Sequence, residues 1–170
     1  MDPKFLEELK KAHNKVNRIG IGMAALVVVL AVAVEVMSAK GVRLADMAET
    51  EVSLFRYVLL GITVTEFFLI KIIRAQVLAA TNPKAEALPP EKRFWFELPK
   101  LMAASFVTLF LCAAISLYGF VLFILSGNTV DFYIFAAMSL IAFVVYFPKY
   151  SHWEEAMRLK LSSISQKPLE

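Results

Sequence analysis

From Leu101 to Val130 the chain carries no charged residue, and a second uncharged run extends from Ile19 to Val34. A helix that crosses a bilayer needs about 20 mostly apolar residues to cover about 30 Å of hydrocarbon, where every backbone polar group must be satisfied within the segment. Uncharged runs of this length restrict the fold more than any other feature of the sequence. The composition agrees: 59% of residues are apolar and 19% charged, against roughly 45–50% and about 25% in an ordinary soluble domain. Such an apolar excess excludes a disordered chain, and continuous runs exclude the short alternating segments of a membrane β-barrel.

Four spans are expected, at about residues 16–37, 53–73, 98–125 and 132–147. The second is interrupted by Arg56, Glu66 and Lys71; a turn at Ser126-Gly127-Asn128 separates the third from the fourth, and Pro148 ends the fourth. The expected fold class is therefore all-α, a polytopic membrane protein with four transmembrane helices in a bundle, forming a single membrane domain over residues 1–170. Residues 2–16 have the pattern of an amphipathic helix, with Asp2 as N-cap, Pro3 at the first helical position and Phe5, Leu6, Leu9 and Val16 on one face. It either runs on into the first span or lies along the interface. No small-residue cleavage site follows the first run, so a removable signal peptide is not expected.

Basic residues set the orientation. Lys4, Lys10, Lys11, Lys15 and Arg18 precede span one; Lys71, Arg74, Lys84, Lys92, Arg93 and Lys100 lie between spans two and three; and Lys149, Arg158, Lys160 and Lys167 follow span four. The opposite side has Lys40, Arg43 and Arg56. Both termini and the middle loop are therefore expected in the cytoplasm, with amphipathic helical extensions at each end, in an inner (plasma) membrane of bacterial or archaeal type. Thr81-Asn82-Pro83 should stop span two and Leu88-Pro89-Pro90 should turn the chain, which makes residues 82–97 a cytoplasmic or interfacial loop. Phe94, Trp95 and Phe96, and at the foot of span four Tyr146, Phe147, Tyr150 and Trp153, are expected as interfacial anchors.

An ionisable group near the bilayer centre costs roughly 2.5–3.5 kcal/mol on insertion scales, so each one needs a use and a partner. Glu66, near the middle of span two, has Thr63 one turn away on the same face and Thr65 beside it. Three uses remain open: a neutral carboxyl bonded to a neighbouring helix, a proton or cation site assisted by the hydroxyls, and a contact with another subunit. Glu35 and Arg56 fall at similar depth near the outer surface and are expected to pair, as an orienting ion pair or a gate. Ser105, Thr108, Cys112, Ser116 and Gly119 form a stripe of small residues on span three. The stripe is suited to packing against another helix, the face bearing Glu66 being one candidate, or to a polar path. Cys112 lies deep in an apolar run and is expected as an inert thiol.

One cysteine and two histidines in polar flanks leave no disulfide framework, cysteine-rich zinc site or haem-ligating pair, and no phosphate loop or catalytic set is visible. No cofactor, metal or enzymatic reaction is expected. Basic residues interspersed with acids do not suggest nucleic acid as a partner. The expectation is a small integral membrane protein, forming a homo-oligomer or joining a membrane complex, whose buried carboxylate supports proton or cation movement. The competing expectation is an anchoring subunit that docks a cytoplasmic partner and moves no ion.

The stretch Leu111-Cys112-Ala113-Ala114-Ile115-Ser116-Leu117-Tyr118-Gly119-Phe120-Val121 resembles the carboxylate-bearing helix of the proteolipid, or c, subunit of rotary ATPases, in which small and aliphatic residues lead to a Tyr-Gly pair. The resemblance implies a hairpin of spans two and three with a cytoplasmic loop. At the position of that family's carboxylate this chain has Ala113, so the resemblance assigns no ion site, and Glu66 lies on the helix of opposite direction.

Overall fold

A computed structural model describes residues 3–41, 49–79 and 88–162. Among the described residues five helices follow one another without a strand: α1 (Pro3–Ala39), α2 (Glu49–Ala79), α3 (Pro90–Ser126), α4 (Thr129–Tyr146) and α5 (Tyr150–Ser162). The all-α expectation holds. The expected N-cap Asp2 and the Thr81-Asn82-Pro83 stop lie outside the described residues.

Of the two courses open to the N-terminal amphipathic segment, the chain takes the continuous one. α1 is a single helix of 37 residues, about 55 Å long at 1.5 Å per residue. It ends where Gly41, at φ +63°, turns the chain and donates its N–H to Ser38 O at 3.0 Å, a left-handed position that glycine occupies without cost. The expected loop over 82–97 is shorter, because α3 already begins at Pro90. Proline suits a first helical position, Glu91 favours the N-terminal end of the dipole, and Arg93 N donates to Pro89 O at 3.0 Å. Pro99 lies inside α3, where it offers no N–H to the carbonyl of Trp95.

The turn between α3 and α4 falls on the expected residues. Gly127 takes φ +69°, and the Asn128 side chain accepts from Val130 N as the N-cap of α4. At the other end of α4 Phe147 leaves the helical region, as the residue before a proline is pressed to do.

Three helices, α1, α3 and α4, are long and apolar enough to cross a membrane. α2 is not among them: it has the length but carries Arg56, Glu66, Lys71 and Arg74.

Contacts group the chain into two compact units. The first takes the described parts of Met1–Ile19, Ile72–Val107 and Pro148–Glu170; the second comprises Gly20–Lys71 and Thr108–Phe147. α1, α2 and α3 each contribute to both.

The second unit adds to a buried apolar core a set of buried polar groups beneath an exposed apolar surface. On α2 the buried face holds Val52, Thr63, Glu66 and Ile70, while Leu54, Tyr57, Val58 and Phe68 are exposed. Elsewhere in this unit Val28, Val29, Val32, Phe110 and Val144 are exposed while Thr108, Ser116, Asp131 and Ser139 are buried. A soluble domain rarely exposes apolar patches beyond a few hundred Å². Polar groups turned inward beneath an apolar surface are the arrangement that lipid favours, and with three spanning-length helices the chain is an integral membrane protein.

The first unit has an ordinary buried core. Leu9 and Val16 of α1 are fully buried, Phe5 stacks on Phe94 with ring centroids 4.8 Å apart, and Trp153 and Met157 of α5 are buried. His13 meets Tyr150 and Trp153 edge-on and lies with Nε2 3.0 Å from Pro148 O. Phe94 and Trp153, expected as interfacial anchors, are therefore core residues; Trp95 and Phe96 remain exposed.

Candidate functional site

In the second unit α2 turns Arg56, Thr63 and Glu66 to one side, because steps of seven and three residues return to nearly the same face of a helix. Glu66 is 7% exposed. The Tyr118 hydroxyl of α3 donates to its Oε1 at 2.6 Å, while Oε2 is buried without a hydrogen-bond partner among the described residues. No basic group pairs with this carboxyl among the described residues. A tyrosine can supply one short hydrogen bond, and the second oxygen is left to bind a proton or accept a donor.

Neither threonine hydroxyl donates to Glu66. Thr63 Oγ1 donates to Leu59 O at 2.9 Å and Thr65 Oγ1 donates to Gly61 O at 2.9 Å. A hydroxyl has one proton, and here each is given to the carbonyl one turn earlier in its own helix, the local alternative open to threonine in an apolar setting. Thr63 is buried beside Glu66, whereas Thr65 faces outward.

The expected Glu35–Arg56 pair is replaced by two others. Arg56 Nη2 donates to Asp131 Oδ2 at 2.7 Å, and Tyr133 donates its hydroxyl to Glu35 Oε1. Asp131 is 4% exposed and stands in the first turn of α4, where the helix dipole favours a carboxylate. It offers Arg56 a buried, pre-oriented acceptor that Glu35, on an exposed stretch of α1, does not.

Two members of the small-residue stripe of α3, Cys112 and Gly119, meet α4. A Cβ at Gly119 would come within 2.7 Å of Phe135 Cβ and 3.0 Å of Phe132 O, and Ser139 Oγ donates to Cys112 O at 2.6 Å. Phe132, Phe135 and Ser139 repeat at three and four residues, the α4 ridge that the stripe receives. Ser116 Oγ returns to Ala113 O at 2.7 Å, and Thr108 Oγ1 is buried without a hydrogen-bond partner among the described residues. Cys112 is fully buried; Ser105 belongs to the first unit and is partly exposed.

In the first unit Glu97 is the buried ionisable centre. Lys160 Nζ of α5 lies 2.7 Å from Oε2 and Lys100 Nζ 2.9 Å from Oε1. Burial pushes its carboxyl upward, but the two ammonium donors outweigh burial and hold it below the ordinary range. No group of three or more His, Cys, Asp or Glu able to hold a metal occurs among the described residues.

Sequence reasoning located Glu66 but missed Tyr118, Asp131 and Tyr133. Comparison with known proteins gives no further guide: no family model, curated protein or solved structure matches the chain.

Proposed function

We propose that the chain is a small membrane subunit, N-terminus and C-terminus inside, in which Glu66 takes up and releases a proton in support of ion movement. The reading brings α2 across the bilayer as a fourth span whose polar face is covered by α3 and α4. The observation that carries it is the pairing of a buried carboxyl with a single hydroxyl donor, its second oxygen without a hydrogen-bond partner among the described residues.

A charge buried there costs several kcal/mol, while one hydrogen bond to a charged group returns about 1.5–3. The neutral acid is the resting state, and ionisation requires a donor or cation to arrive at Oε2. The Thr63 and Thr65 hydroxyls donate to their own helix and Tyr118 donates to Oε1, so none of the three donates to Oε2. Homo-oligomerisation belongs to the same reading, since the outward apolar face of α2 is available to a second copy or to lipid.

The test is proton flux in proteoliposomes. Wild type should acidify the lumen under an imposed potential, Glu66→Gln should abolish the flux with assembly unchanged, and Tyr118→Phe should alter its pH dependence. Absence of wild-type flux, or flux that survives Glu66→Gln, overturns the reading.

A further inference from the structure

The cations of this chain are unevenly neutralised. Lys11 lies 3.0 Å from both Glu7 and Glu8, Arg56 is held by Asp131, and Lys100 and Lys160 share Glu97. Lys15 and Arg18 are exposed and make no ion pair or hydrogen bond among the described residues. They stand one turn apart on α1, and with Lys11, Asn14 and Ile19 they form an exposed, shallow and open patch on that helix. Asn14, one turn before Arg18, adds an amide donor beside the charges, and Ile19 gives the patch an apolar edge.

Position along the helix selects the ligand. Ile19 opens the uncharged run that continues to Val34, so the phosphate level of a bilayer crossed by α1 falls within about a turn of Arg18. Arginine and lysine at that level bring a forked donor and a point charge to a phosphate diester. We propose that Lys15, Arg18 and Asn14 form a headgroup site for an anionic phospholipid, with Lys11 at its rim and Ile19 against the start of the acyl region. A free phosphate has the same charge chemistry, but it makes no use of the apolar edge. The inference requires α1 to cross the membrane; it does not depend on Glu66.

The full chain in detergent is titrated with phosphatidylglycerol, phosphatidylcholine and inorganic phosphate, and bound adducts are counted by native mass spectrometry. Phosphatidylglycerol should be retained over phosphatidylcholine, and K15Q/R18Q should weaken that binding at least about tenfold, since each juxtamembrane charge accounts for about five-fold. K40Q, which removes a charge at the other end of α1, should leave it unchanged. Equal retention of the two lipids, an unaffected K15Q/R18Q variant or an equal effect of K40Q overturns the site. Displacement of the lipid by millimolar inorganic phosphate makes the ligand a soluble anion and overturns it as well. Both substituted residues are exposed, so an unchanged far-UV spectrum accompanies the expected loss. Release of the chain from membranes by alkaline washing would instead remove the spanning reading on which the site stands.

Discussion

Tyr118 and Gly119 are neighbours in sequence with different tasks: the tyrosine bonds Glu66 on α2, and the glycine admits the Phe132 and Phe135 ridge of α4. Gly119→Ala drives a methyl against a Cβ and a backbone carbonyl, neither of which can swing aside, and should destabilise the second unit by about 1–3 kcal/mol. Gly22→Ala, where nothing lies within 4 Å, should be neutral or stabilise α1 by up to about 1 kcal/mol. Thermal unfolding in detergent separates the two; equal effects would show that the glycine of the Tyr-Gly pair is not a contact residue. Tyr118→Phe should cost about 0.5–2 kcal/mol. Glu66 could be found from sequence because a carboxylate amid apolar residues is conspicuous. Tyr118 could not, because a tyrosine in an apolar helix has the same composition whether it anchors, packs or bonds. Asp131 sits at the end of a run, where a charge needs no excuse, and only the structure shows it to be buried.

At the level of elements, the presence of the helices and the break between α3 and α4 were readable from the apolar runs, Gly127 and Pro148, whereas the full lengths of α1, α2 and α3 and the beginning of α3 were not. Pro89-Pro90 reads as a turn, and the aromatics after it read as anchors; in the structure Pro90 starts the helix and Phe94 is a core residue beneath Phe5. Binding between α3 and α5 centres on Glu97. Its carboxyl is held below the ordinary value of 4.5, so the unfolded chain takes a proton more readily than the folded one. The stabilisation is fully present above the unfolded value and is lost as pH falls through the lower folded value. Fluorescence of buried Trp153 should therefore report loosening of α5 under acid but not between pH 6 and 8. Glu97→Gln removes the carboxylate that Lys100 and Lys160 share and should destabilise the α5 contact at neutral pH by a few kcal/mol, about 3 at most, abolishing that acid dependence. An unchanged acid response in the variant would assign it to another carboxylate.

On the scale of the whole molecule, charge distribution proposes sidedness, and the single buried cysteine makes it measurable. Native Cys112 should resist a membrane-impermeant maleimide. Single cysteines introduced at Asn14 and His152 in a Cys112→Ser background should label only when the cytoplasmic face is open, and one at Lys40 only from the other side. Labelling of all three from one face would contradict the proposed four-span topology.

The partners of α2 have a consequence for how the protein is made. Arg56 waits for Asp131, 75 residues later, and Glu66 for Tyr118, 52 residues later. When α2 leaves the ribosome neither partner has been synthesised, and each of its charges must enter or avoid the lipid alone. On the proposed four-span reading its insertion is a late event, completed when α3 and α4 arrive. Nascent chains halted before Pro90 should leave α2 open to added protease, and chains extended past Tyr146 should protect it.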